Sequence, residues 1–336
     1  MKKKAAIIGF GGMGKRYYKA LKSMGIEVVA ICDQNINKIE GIKNKNLIRA
    51  NNYKKLLNLD FDIVCIASNT KSRFQILKDF VTKSKVKNIL IEKPLATSYK
   101  KCLEIYKLCN KTKKKKVYVN TFRTLSKNFN NIKKYFKLKK EKITHIFINS
   151  PSAGLGNMGS IFFDLSNYFI EDKPLSVNCY LDKTGTVSPR GKQFKDPGGY
   201  GIIRYKNNKK VFFDLSENTS LPYKIILKSQ NIECVIDELN NKYSIEERPK
   251  KLRNKPNYFY LYKPNYKRIK PSHKYDTVLM TKFSIKKLLK SPKFSSNVLQ
   301  SIRAMELVFA CHASKNNKLI NLPLRYKLSN RNVNFP

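Results

Sequence analysis

Two stretches of the chain hold residues whose types and spacing could do chemistry. The first is Gly9-Phe10-Gly11-Gly12-Met13-Gly14, placed between the apolar run Ala5–Ile8 and the polar, helix-compatible KRYYKALKSMG. The first glycine permits a tight turn, Gly11 lets the backbone approach a pyrophosphate, and Gly14 lets helix and strand pack closely. A helix that starts there offers free N–H groups and partial positive charge to phosphates. A second apolar run, EVVAICD, ends in Asp33, nineteen residues after Gly14. An acid at that distance accepts both ribose hydroxyls of a dinucleotide. Asp33 repels a 2′-phosphate and so favours NAD, while the nearby Lys38 keeps NADP open.

The second stretch is Glu92-Lys93-Pro94, which closes the apolar run NILI (88–91). Hydride transfer at an alcohol carbon needs a group that takes or gives the hydroxyl proton. A free lysine, with a pKa near about 10.4, does this poorly at neutral pH. Partial burial, or the positive charge of an oxidised nicotinamide, destabilises the ammonium and suits Lys93 to the task. Pro94 fixes the turn that aims Lys93, and Glu92 is placed to hold backbone or cofactor groups.

The elements that must position these residues read as follows. Short apolar runs at 5–8, 27–33, 47–50, 61–68, 88–94 and 117–122 alternate with helical segments at 15–25, 52–58, 71–84 and 96–112. Six strands alternating with helices predict a doubly wound parallel sheet, whose ligands sit at the carboxyl ends of the strands. The glycine turn, Asp33, Ser68, Asn69, Glu92, Lys93 and Asn120 all fall at such ends. Near residue 123 the character changes. A helix at 126–137 leads to a strand at 143–150 and then to a glycine-rich entry into the segment SIFFDLSNYFIED. Closely spaced strands follow (SVNCYLD, GIIRYKN, KVFFDLSE, YKIILKS, IECVID), some joined by turns rich in Gly, Asn and Pro, such as GKQFKDPGGYG. They read as an antiparallel sheet. Residues 246–275, basic, aromatic and proline-containing, read as a long loop or arm, and 295–317 as a long helix.

Composition narrows the function classes. The 336 residues carry 69 Lys+Arg against 23 Asp+Glu, a net charge of +46. The excess is mostly Lys, is spread along the chain and carries no nucleic-acid module, so nucleic acid is not the expected partner. The same charge attracts anionic small substrates. No apolar run is long enough to span a membrane, and the glycine-broken N-terminus does not make a signal peptide. The seven cysteines form no CxxC pair and the three histidines no metal spacing. A cytoplasmic protein without a metal is expected.

In four features taken in order, the chain resembles the Gfo/Idh/MocA oxidoreductases, the glucose-fructose oxidoreductase and inositol dehydrogenase-like family. These are GFGGMG with Asp33, IEKPLA at 91–96, MGSIFFDLSNYF at 158–169, and the closing helix followed by KLINLPL. The resemblance implies an N-terminal Rossmann domain (1–122) and a C-terminal α+β domain (123–336) with a large, mostly antiparallel open sheet. It also implies packing of the last helix near the Rossmann domain and a homodimer or homotetramer. Residues 9–14, Asp33, Ser68, Asn69, Glu92, Lys93 and Asn120 would hold the cofactor, with Lys93 as acid/base on a proline turn that is commonly cis in the family. Many members carry an Asp, a His three or four residues later, and another Asp three further on. Here Asp164 matches the first, while Asn167 or Tyr168 stands in the place of the His and Glu171 in that of the second Asp. A Tyr168 phenol could donate a proton to a carbonyl, and an Asn could only hydrogen-bond. Asp164 would orient substrate, and Arg123 is a candidate for a substrate carboxylate or phosphate. The implied activity is NAD(P)-dependent hydride transfer on a sugar, nucleotide sugar or cyclitol, within surface-polysaccharide sugar synthesis. A catalytically weakened NAD(P)-binding sensor of the same fold is the alternative.

Overall fold

The computed structural model describes residues 2–112, 115–151, 154–183, 194–217, 220–258, 260–292, 297–314, 316–333 and 335. The first half runs β1 (Lys4–Ile8), α1 (Gly12–Ser23), β2 (Glu27–Cys32), α2 (Asn37–Glu40), β3 (Ile48–Ala50), β4 (Ile63–Ile66), α3 (Thr70–Lys83), β5 (Asn88–Ile91), α4 (Tyr99–Lys111) and β6 (Lys116–Val119). The six strands form one sheet in the order β3-β2-β1-β4-β5-β6, and every pair is parallel. The expected doubly wound sheet is therefore present, with its order reversing between β1 and β4. Residues 52–58 are tighter than expected: a 3-10 turn, Tyr53–Leu56, replaces the short helix.

The second half runs α5 (Lys127–Leu138), β7 (His145–Asn149), α6 (Ser160–Ile170), β8 (Pro174–Leu181), β9 (Gly199–Tyr205), β10 (Lys210–Asp214), β11 (Lys224–Lys228), β12 (Ile232–Asp237), β13 (Lys242–Glu247), β14 (Asn265–Ile269), α7 (Thr277–Lys290), α8 (Val298–Ser314), β15 (Ile320–Asn321) and α9 (Tyr326–Ser329). Nine strands join in the order β14-β13-β12-β11-β7-β10-β9-β8-β15. The pairing is antiparallel except between β7 and β10, which run parallel. The 246–275 segment is more ordered than a loop, since it contributes β14 to the sheet edge. Helix α7 lay outside the sequence-based reading. Helix α8 is shorter than the expected 295–317; of that span, 295–296 and 315 lie outside the described residues, as does most of the first part of the expected GKQFKDPGGYG turn.

Alternation along β1 sends its side chains to two different cores. Ala5 and Ile7 join Tyr17 and Leu21 of α1, and also Ile285 and Leu288 of α7. Ala6 and Ile8 join a larger core that continues under the second sheet through α4, α6 and α8. Helix α8 packs against α4 and β6. The inner face of the second sheet buries Ile146, Ile148, Ile203, Val211, Phe213, Ile225 and Leu227. Its outer face leaves rings in the open: Tyr180 stacks on the exposed Tyr200 at 5.1 Å, and Phe147 on Phe212 at 4.9 Å. No helix among the described residues is long and apolar enough to cross a membrane.

Packing of the first helix on its strand is tightest at Gly14, where an added Cβ would lie 2.1 Å from the Gly9 carbonyl oxygen. At Gly11 it would meet nothing within 4 Å. Gly14→Ala therefore lowers stability by about 1–3 kcal/mol in urea titrations, whereas Gly11→Ala leaves stability unchanged. Equal stability of Gly14→Ala and wild type would refute this account of the helix–strand contact.

Candidate functional site

The carboxyl ends of the parallel strands open into two adjoining cavities that share Met13 and Ala67. The larger, about 940 Å³, lies over β1, β2 and β4 and is lined by Gly9, Gly11, Gly12, Met13, Asp33, Lys38, Ser68 and Asn69. Gly9 takes φ +90°, and a side chain there would collide with the Ala67 and Ser68 backbone at 2.7–2.8 Å. Helix α1 starts beyond Gly11 with no side-chain cap and no acid in its first turn, so its N–H groups face the cleft unopposed by negative charge. Asp33 closes the turn: its Oδ2 accepts from Phe10 N at 2.6 Å, and its Oδ1 accepts from Asn35 N at 3.0 Å and Lys38 Nζ at 3.3 Å. Asn69 caps α3 by accepting from Ser72 N at 2.9 Å. The open space above Gly11 and Gly12, the bare helix N-terminus and Asp33 fit a dinucleotide. Phe10 and Gly14 shape the turn from within and do not line the cleft, since the Phe10 ring is buried against Tyr18.

The second cavity, about 500 Å³, lies over β5 and reaches into the second half of the chain. Lys93 lies on its wall beside Glu92, and the Lys93–Pro94 bond is cis. Glu92 is 3% exposed and accepts from Tyr17 Oη, Asn120 Nδ2 at 2.7 Å and the Lys93 backbone N–H at 3.3 Å. Asn120 thus acts through Glu92 and lines neither cavity. Arg73, which sequence reasoning missed, is buried on α3 and donates to the carbonyls of Ser68 and Pro94, tying the β4 and β5 turns together. An Arg inside an amphipathic helix carries no sequence signal for that role.

Opposite Lys93 stands the turn that enters α6. Lys93 Nζ donates to the Asn157 backbone oxygen at 2.9 Å and to Asn157 Oδ1. Met158 and Ile161 complete that wall. Asn157 is held in turn by Asp196, whose Oδ1 accepts from Gly156 N at 2.7 Å and Oδ2 from Asn157 N at 2.9 Å. Burial pushes the Asp196 carboxyl up to about 6, against those two N–H bonds and the Lys93 charge. Asp196 comes from the loop before β9, so only the fold brings it here.

These contacts correct the expectation for α6. Asp164 lines neither cavity. It is 2% exposed, and its Oδ1 accepts from Gln300 Nε2 at 2.9 Å. Asn167 accepts from Tyr205 Oη at 2.9 Å, and Tyr168 donates to Asn130 Oδ1 at 2.7 Å. Both line a separate cavity with Lys133 and Arg303. From Asn157 to Tyr168 the helix climbs about 16 Å, which carries Tyr168 past the site. Asn157, Ile161 and Asp164 also have a spacing of four and then three residues, and the first two of them line the Lys93 cavity. Glu171 pairs with Lys133 at 2.6 Å, away from Lys93. Arg123 is also revised. It lines the Lys93 cavity, but it is 3% exposed, its Nε donates to Glu238 at 3.2 Å and its Nη2 to Tyr223 Oη at 3.0 Å. Its charge already has a buried partner.

Fold and site together define a dinucleotide-binding protein of oxidoreductase architecture. Residues 3–121 match the Gfo/Idh/MocA family model, described as "Oxidoreductase family, NAD-binding Rossmann fold". The match spans the parallel-sheet half of the chain. A comparison with curated protein sequences finds no match. Solved structures share the fold over nearly the whole chain. An oxidoreductase from Agrobacterium radiobacter in complex with NAD+, L-tartaric acid and magnesium is 16% identical, covering 96% of this chain and 98% of that one, with a TM-score of 0.74. A UDP-N-acetylglucosamine 3-dehydrogenase from Acidithiobacillus ferrooxidans is 14% identical, covering 94% and 98%, with a TM-score of 0.75. A levoglucosan dehydrogenase in complex with NADH is 14% identical, covering 97% and 100%, with a TM-score of 0.76.

Burial pushes the Asp164 carboxyl up to about 7, against hydrogen bonds from Gln300 and Thr121. An unfolded Asp titrates near about 3.9. Between these values the folded state binds more protons than the unfolded state, so this group makes stability fall as pH rises from about 4 to 7. Asp164→Asn removes that contribution, of the order of 3 kcal/mol across the window. Unfolding titrations at pH 4.5 and 7.5, set beside wild type, check it; an unchanged pH slope would show that Asp164 is not buried as described.

Proposed function

We propose that the chain is an NAD-dependent oxidoreductase acting on a hydroxyl or ketone carbon of a sugar, nucleotide sugar or cyclitol. The carrying observation is the position of Lys93 on the wall of a substrate-sized cavity that adjoins the dinucleotide cleft at Met13 and Ala67. NAD, when bound, supplies the hydride acceptor or donor. Gly9, Gly11, Gly12 and Met13 would hold its pyrophosphate, Asp33 a ribose, and Ser68 and Asn69 the cleft wall beyond. Lys93 Nζ takes the hydroxyl proton during oxidation or returns it during reduction. Asn157 fixes the direction of Nζ, and Asp196 fixes Asn157. With Arg123 already paired to Glu238, the cations Arg16, Arg73 and Lys93 face the second cavity against one carboxylate, Glu92. That balance supports a substrate with an anionic group, and so a nucleotide sugar, in surface-polysaccharide synthesis. The half-open rings on the outer sheet face support a homodimer or homotetramer.

A second reading rests on α6. Where many family members carry Asp and His, this chain presents Asn157 and Ile161 to the cavity. Neither can move a proton, so Lys93 works without that relay, and the chain is a slow enzyme or an NAD-binding sensor.

Lys93→Ala lowers turnover by at least about 100-fold while NAD affinity stays within a few-fold, as read by steady-state kinetics and fluorescence titration. Full turnover in that variant would remove Lys93 from the mechanism. If the relay has been lost, the double variant Asn157→Asp/Ile161→His raises the rate on nucleotide-sugar substrates by about ten-fold or more. No gain in a folded, NAD-binding double variant would count against the second reading.

A further inference from the structure

Short of Tyr275, neither cavity uses the arm between β13 and α7, a strongly basic segment. Residues 248–275 carry ten Lys and Arg and no Asp or Glu. Between 250 and 270 no described residue lines the Lys93 cavity or the dinucleotide cleft. The arm is nonetheless built. Arg248 is 5% exposed and donates to the carbonyls of Lys255 at 3.2 Å and Pro256 at 2.9 Å, with its guanidinium over the Tyr262 ring at 5.7 Å. Arg253 donates to Glu247 at 3.2 Å, and β14 is paired along β13.

What this frame presents outward is unusual for a solvated loop. Leu261 is 90% exposed, Tyr258 72%, Tyr260 71% and Tyr266 65%. Exposed Lys255, Lys263, Lys267, Arg268 and Lys270 stand among them. Lysines on β14 alone could be read as protection of an edge strand. That does not account for an aliphatic tip and two tyrosines on the preceding turn.

We propose that this arm docks on an anionic lipid bilayer surface, with Leu261, Tyr258 and Tyr260 entering the interface and the flanking lysines facing the headgroups. Charge complementarity selects the occupant. A two-fold contact between copies of this chain would set an acid-free, tenfold cationic segment against itself. A nucleic acid would use the lysines and stack on the tyrosine rings, but has no use for Leu261. A bilayer accepts all three classes of group: basic residues at the surface, tyrosines at the headgroup level and a leucine just below it.

The test is co-sedimentation of the full chain with phosphatidylcholine vesicles, with and without phosphatidylserine, at about 0.15 M salt. Binding is expected only with phosphatidylserine. Leu261→Ser is expected to weaken it about ten-fold, and Lys263→Glu/Lys267→Glu/Arg268→Glu to abolish it. The matched set Lys22→Glu/Lys78→Glu/Lys107→Glu, equal in charge but off the arm, is expected to retain most of it. The proposal is overturned if wild type does not sediment, or if the two triple variants lose binding equally, because net charge alone then acts. It is equally overturned if Leu261→Ser binds like wild type and an oligonucleotide strips the protein from the vesicles, or if Leu261→Ser instead dissociates an oligomer in light scattering.

Discussion

The buried carboxylate of Glu92 is the interaction on which the site depends. At the end of a parallel strand, the last side chain and the first turn residues meet three other elements at once. Glu92 accepts from Tyr17 on α1, from Asn120 after β6 and from the backbone of Lys93. A carboxylate 3% exposed is costly unless its lone pairs are used, and these three donors use them. Truncating Glu92 would leave Tyr17 and Asn120 buried without their acceptor. The same bonds aim Lys93 toward the second half of the chain, so stability of the strand end and direction of the Lys93 side chain are one feature.

The other side of the cavity is built by a different device. Helix α6 begins with a π-turn, Leu155–Gly159, whose N–H groups at 156 and 157 point at Asp196. Gly154, at φ +85°, leaves room for that carboxylate, since a Cβ there would lie 2.1 Å from Asp196 Oδ2. The turn thereby offers the Asn157 oxygens to Lys93. Further along, the helix ties the domain together: Asp164 accepts from Gln300 on α8, and Asn167 accepts from Tyr205 on β9. A single helix thus serves the cavity with its first turns and the core with the rest.

Charge is managed differently in the interior and outside. Arg123 and Glu238 form an ion pair with side chains 3% and 0% exposed, further bonded through Tyr223. Such a pair yields little net stability as a whole, while loss of one member strands the other in a dry site. The excess cations elsewhere are mostly solvated lysines, and on the arm after β13 they stand among exposed Tyr258, Tyr260, Leu261 and Tyr266.

The sequence by itself determined the dinucleotide half: strand, glycine turn, helix and Asp33 are contiguous enough for local sterics and period to dictate them. Lys93 was legible for the same reason, as the end of a strand whose neighbours alternate with helices. The facing wall was not legible. Asp164 and Tyr168 share a helix face with Asn157 by periodicity, but periodicity carries no information on how far along its axis a helix meets a cavity. Arg123 and Glu238 lie 115 residues apart in the chain, Lys93 and Asp196 lie 103 apart, and no local pattern brings either two together. Only packing of the second sheet and of α6 against the Rossmann sheet decided that Asn157 and Ile161, rather than Asn167 and Tyr168, line the cavity beside Lys93.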